Sequence, residues 1–153
     1  MAVSLDDIDR KILKALQKDA SVSMDGLADQ IGLSRNACWR RAKALEASGF
    51  IRNRVALVDA AKVGCGLSVF VLIKTSQHDI EWLDRFERAV TSMAEIMGAH
   101  RMTGDLDYIL RVRVGSVEEY DAFYQRLISK IPIANISASF VIDDIKDTTE
   151  VPL

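Results

Sequence analysis

Two cysteines, two histidines and two prolines in 153 residues exclude a good deal. Cys38 and Cys65 cannot build a disulfide framework, and neither has a C-x-x-C partner or a nearby histidine to suggest a metal site. With His78 and His100 isolated, and with no phosphate-binding glycine loop or nucleophile elbow, no enzyme, no metal and no cofactor are expected. No apolar run approaches the about 20 residues needed to cross a bilayer. The N-terminus also lacks the charged segment, apolar core and small-residue cleavage site of a secretory leader. A reducing, cytoplasmic setting without a membrane partner is the expectation.

What is present is apolar and unevenly charged. Hydrophobic residues make up 49% of the chain, enough for a real core, and the net charge is −2. Residues 1–59 carry ten basic and eight acidic side chains, whereas residues 60–153 carry ten and fourteen. Between Ser34 and Arg54 six bases face one acid, Glu46, so a local basic cluster overrides the acidic whole and points to nucleic acid.

The stretch Val22–Leu45 explains that cluster. Ser23 can cap a short helix with Leu27, Ala28 and Ile31 at helical spacing. Gly32 can end it in the left-handed conformation, and Ser34 can cap the next helix. Ala28, four residues before Gly32, permits the close crossing of a helix-turn-helix. In the second helix Cys38, Ala42 and Leu45 would face inward, leaving Arg35, Asn36, Trp39, Arg40 and Lys43 outward. Guanidinium forks and an amide suit base edges, and cations suit phosphates. With the capping Ser34 and the clustered Arg41, these form the expected double-stranded DNA contact. Before this pair, Leu5, Ile8, Ile12, Leu13 and Leu16 make a first helix capped by Ser4 or Asp6. After it, Phe50-Ile51 and Val55–Val58 suggest an extended wing or linker flanked by Arg52 and Arg54. Gly64 and Gly66 mark a boundary.

The second half repeats a pattern. Leu67–Thr75 has strand character, Leu83, Phe86, Val90 and Met93 mark a helix, and Ile96–Met102 is extended again. After the turn Thr103–Asp107, Tyr108–Val114 alternates as a strand. Ser116 and Glu119 form a capping box for a helix through Tyr120, Phe123, Leu127 and Ile131, which Pro132 ends. Ile136–Ile142 is the last strand. The order βαββαβ is ferredoxin-like, with both helices on one sheet face. Val69, Val71, Ile73, Ile109 and Val141 are expected on the other face, where a second copy would cover them. The fold class is therefore α+β: a (winged) helix-turn-helix domain at 1–59, a hinge at 60–66, and a ferredoxin-like effector and dimerisation domain at 67–153.

The whole chain resembles the Lrp/AsnC group of transcription regulators. The resemblance rests on LDDIDRKILKALQKD, on LADQIGLSRNACWRRAKALEASGFI and on GDLDYILRV, which is similar to the family's G-D-x-D-Y signature. GLSVFVLIKT, EYDAFYQRL and IKDTTEVP are most similar to its cysteine-detoxification branch. SRNACWRR departs from the common pattern at Arg35, Asn36 and Trp39, so family operator sequences do not carry over. The resemblance implies homodimers assembling to an octamer and an amino-acid effector, with cysteine the first choice and leucine or alanine next. From residue types alone, Asp105 or Asp107 can take an ammonium and the amides around Gly104 a carboxylate. The resemblance adds Met102, Tyr108, Phe140 and Val141 as pocket lining. The rival reading is a metabolite-binding protein that acts through protein partners without specific DNA binding.

Overall fold

A computed structural model describes residues 5–75 and 79–153. Ser4 and His78 lie outside them. Chain contacts define two units, one of residues 1–57 with 146–153 and the other of residues 58–145.

The first unit is a three-helix bundle: α1 (Asp7–Lys18), α2 (Met24–Ile31) and α3 (Arg35–Ala47). Each helix begins at a side chain that accepts from an amide otherwise left without a partner. Asp6 accepts from the Asp9 amide at 2.8 Å and Asp9 reaches back to the Asp6 amide, forming a capping box. Ser23 caps α2 and Ser34 caps α3. Gly32 ends α2 at φ +77°, which a β-carbon would resist, and the amides of Gly32 and Leu33 both return to the Ala28 carbonyl. As the spacing predicts, Ile12, Leu13, Leu27, Ala28, Cys38, Ala42 and Leu45 form the core. Residues 52–59 form neither helix nor strand. Val55, Leu57 and Val58 are 73%, 76% and 67% exposed, so the expected wing or linker strand has no ladder partner within one chain.

The second unit has the element order β1 (Leu67–Lys74), α4 (Ile80–Thr91), β2 (Ile96–Arg101), β3 (Tyr108–Val114), α5 (Val117–Lys130) and β4 (Asn135–Phe140). The sheet order is β2-β3-β1-β4 with every neighbour antiparallel, the ferredoxin-like arrangement. Both helices cover one face, where Trp82, Phe86, Phe123 and Leu127 pack on Val69, Val71, Ile73, Leu110 and Val112. Trp82 stacks on Phe86 at 5.1 Å and donates its indole N–H to the Pro132 carbonyl at 2.8 Å.

This placement corrects the expected open face. Val69, Val71 and Ile73 are fully buried beneath the helices, and strand alternation puts Phe70 and Leu72 on the opposite side. Their cross-strand neighbours there are Arg111, Ile109, Ser139 and Ser137. The open face is thus mixed: Phe70 is 38% exposed, but serines and arginines surround it.

Lys146–Leu153 groups with the helical unit: the Gln17 side chain pairs with the main chain of Val151, and Leu153 packs on the three-helix core.

Candidate nucleic-acid interface and effector turn

Helix α3 sorts its side chains by period. Cys38, Ala42 and Leu45 are buried, and Arg35, Asn36, Trp39, Arg40 and Lys43 are exposed. Asn36, Arg40 and Lys43 follow one another at i, i+4 and i+7, so they form a continuous outward stripe with Arg35 and Trp39 beside it. Trp39 is 54% exposed, an unusual degree of exposure for an indole. Arg35 lies 3.2 Å from Asp25, and Lys43 lies 2.7 Å from Glu46. Both pairs are solvent-facing and can exchange for phosphates at little cost. Ser34 sits at the helix start with its hydroxyl accepting from the Ala37 amide, where unpaired N–H groups favour an anion.

Arg41 is placed differently. Its guanidinium donates to Asp6 at 2.7 Å and to Asp9 at 2.8 Å, tying α3 to the start of α1. The two carboxylates push its pKa up, Asp9 the more. Its position, three residues after Cys38 and four before Leu45, puts it on the inward edge of α3, a signal available in the sequence. The geometry makes Arg41 a brace for the helix its neighbours use. Cys38 is fully buried and its thiol is pushed up by burial, which opposes the thiolate a redox sensor needs.

The hairpin between β2 and β3 carries the second constellation. The Met102 amide donates to the Asp107 carbonyl at 2.8 Å, closing a turn in which Gly104 has φ +99°. Asp107 is occupied in holding this turn to the end of β1. Its amide donates to the Ile73 carbonyl at 3.0 Å, and its carboxylate accepts from the Thr75 amide at 2.7 Å. Asp105 is exposed, beside the glycine, and its carboxylate has no hydrogen bond among the described residues.

The remaining expected pocket residues are not gathered here within one chain. Tyr108 is a core aromatic, 7% exposed, with its ring 4.4 Å from Phe86. Phe140 pairs with Val69 in register, whereas the turn is tied to Ile73 and Thr75. Four to six residues of strand, about 13–20 Å, separate the two places. Phe140 is 41% exposed and meets Tyr120 edge-on at 5.2 Å, and the Val141 amide donates to the Ser68 carbonyl. Met102, also 41% exposed, stays beside the turn.

A helix-turn-helix with an exposed basic stripe, joined to a separate α+β sheet unit, defines a DNA-binding regulator with a second, non-DNA domain. Residues 5–52 match the family model for winged helix-turn-helix DNA-binding domains, and residues 68–151 match that for the Lrp/AsnC ligand binding domain. The chain belongs to the Lrp/AsnC family of transcriptional regulators. It is 45% identical over 150 residues to the DNA-binding transcriptional activator DecR of Escherichia coli, covering 97% of this chain and 99% of that one. It is 44% identical over 153 residues to the glutamate uptake regulatory protein of Zymomonas mobilis, covering 100% and 93%. Among solved structures, the complex of the Neisseria meningitidis transcriptional regulator NMB0573 with L-Met superposes with a TM-score of 0.93. That match is 29% identical and covers 97% of each chain.

Proposed function

We propose that this DNA-binding regulator responds to a free amino acid held at the Met102–Asp107 turn. The observation that carries the reading is the division of labour between two aspartates. Asp107 is spent on positioning the turn, while Asp105 stands exposed beside a glycine whose positive φ leaves its neighbouring amides approachable. Asp105 then takes the ammonium and the amides around Gly104 the carboxylate, with Met102 against the side chain. Phe140 and Val141 join such a site only from another copy, which fits a homodimer assembling to an octamer with effector between dimers. Binding shifts the population of assemblies if it favours one of them. Two recognition helices on a two-fold axis, using Ser34, Arg35, Asn36, Trp39, Arg40 and Lys43, read half-sites about 34 Å apart.

Cysteine is the first candidate, then leucine and alanine. The L-Met complex of the Neisseria relative and the glutamate uptake role in the Zymomonas relative's name add methionine and glutamate to the panel. Calorimetry of wild type and Asp105→Asn against these five amino acids tests the reading. The expected result is saturable binding of at least one by wild type and a loss of about tenfold or more in the variant, at unchanged melting temperature. Equal affinity in both proteins would leave the turn as a structural hairpin.

A further inference from the structure

We propose that the C-terminal residues Lys146–Leu153 are a strap that the chain's own three-helix unit recognises as a peptide ligand, through the main chain of Val151 and the side chain of Leu153. Two different contacts hold this segment. The Val151 amide donates to Oε1 of Gln17 at 2.7 Å, and Nε2 of Gln17 donates to the Val151 carbonyl at 3.2 Å. A glutamine amide offers a donor and an acceptor in one plane, as a neighbouring β-strand would, so it pairs with an extended residue whatever its side chain. Val151 itself is 60% exposed, so its side chain contributes little and the main chain is what is held.

The sequence prepares this geometry. Pro152 disfavours the helical region for Val151 and keeps it extended, leaving both its polar groups available. Pro152 has no N–H of its own to satisfy. Two residues beyond the clasp, Leu153 is half-buried against the three-helix core. Thr149, Val151 and Leu153 form one wall of a cleft of about 1040 Å³ whose other walls include Leu13, Leu16, Phe50 and Val55. The tail lines this cleft without filling it, so it can detach without emptying the core. The chain enters the strap from Ile145 of the sheet unit. The docked strap is held on the helical unit by these non-covalent contacts, so it can be released.

Amide hydrogen exchange on the full chain tests the proposal. Wild type should protect the Val151 amide, and Gln17→Ala and Leu153→Asp should each reduce that protection by about tenfold or more while α4 and α5 stay unchanged. A chain ending at Ile145 should bind an added N-acetylated peptide of sequence KDTTEVPL saturably, and the same truncated chain carrying Gln17→Ala should not. If the truncated chain fails to fold, the two point variants still decide. An unprotected Val151 amide in wild type, or unchanged protection in Gln17→Ala, would overturn the strap.

Discussion

The sheet unit and the helical unit are held together by different means. Among the described residues, the sheet unit's buried cluster has thirteen side chains, including Trp82, Phe86, Tyr108 and Phe123. The helical unit's cluster has seven, with no aromatic, two alanines and a cysteine. A small unit buries a smaller fraction of its surface, and small side chains at Ala28 and Ala42 are the condition for its helices to cross closely. Both units cap their helices; to its smaller core the helical unit adds the Arg41 brace and the Gln17 clasp.

Truncating the larger core should give the biggest effect. Phe123 is fully buried between α5 and the sheet, and Phe123→Ala should cost about 3–5 kcal/mol. Calorimetry should show the sheet unit's transition falling while the helical unit's stays in place. Trp82, 3% exposed in that core, and Trp39, 54% exposed on α3, give separate fluorescence reports of the two units. A single transition that moves as a whole would break the comparison.

The same contrast explains what could be read from the sequence. The helix-turn-helix was legible because its signals are local: Ser23, Gly32 and Ser34 punctuate it, and the α3 stripe has a clear period. The order of strands and helices was legible too. The buried face of β1 was not, because Val69 to Ile73 is apolar at every position, and an alternation that never appears cannot say which parity faces the helices. Composition groups Arg41 with the outward bases, although its offset from Cys38 and Leu45 marks the inward edge. Of the effector turn, residue types give the chemistry but not the assignment, since it is the contacts of Asp107 with Thr75, Ile73 and Met102 that separate it from Asp105. The Gln17 clasp joins residues 134 apart in sequence, beyond any local pattern.

Adjacent arginines on α3 sharpen the comparison within one helix. Arg40→Ala should weaken DNA binding by about 1–3 kcal/mol and leave the melting temperature unchanged, since Arg40 is exposed on the outward stripe. Arg41→Ala should lower the helical unit's melting temperature, because Asp6 and Asp9 lose their shared partner. Gel-shift titration and calorimetry on both variants separate the roles. Identical profiles would mean that the brace and the interface are one feature.

Acid should act on the two units unequally, and this is the smallest effect. Asp6 is held below the usual aspartate value of 3.8, first by the Asp9 amide and next by Arg41. Asp19 is held down by the Ser21 hydroxyl and amide, and Glu46 is held below 4.5 chiefly by Lys43, with Arg54 assisting. All three lie in the helical unit, whereas in the sheet unit Glu118, lowered by the Ser116 hydroxyl, is the one such group among the described residues. A carboxyl depressed by folding contributes its stabilisation above its unfolded value and loses it as pH falls through the folded one. Both units should therefore be insensitive near neutrality, and the helical unit should lose stability faster below about pH 4. Exposure and salt keep the slope shallow. Melting each unit between pH 6 and 3, in wild type and in Arg41→Met, measures it: the variant should show a flatter decline in the helical unit, since one of the partners depressing Asp6 is gone. Parallel declines in the two units would mean that the polar fasteners of the helical unit contribute no more than those of the sheet.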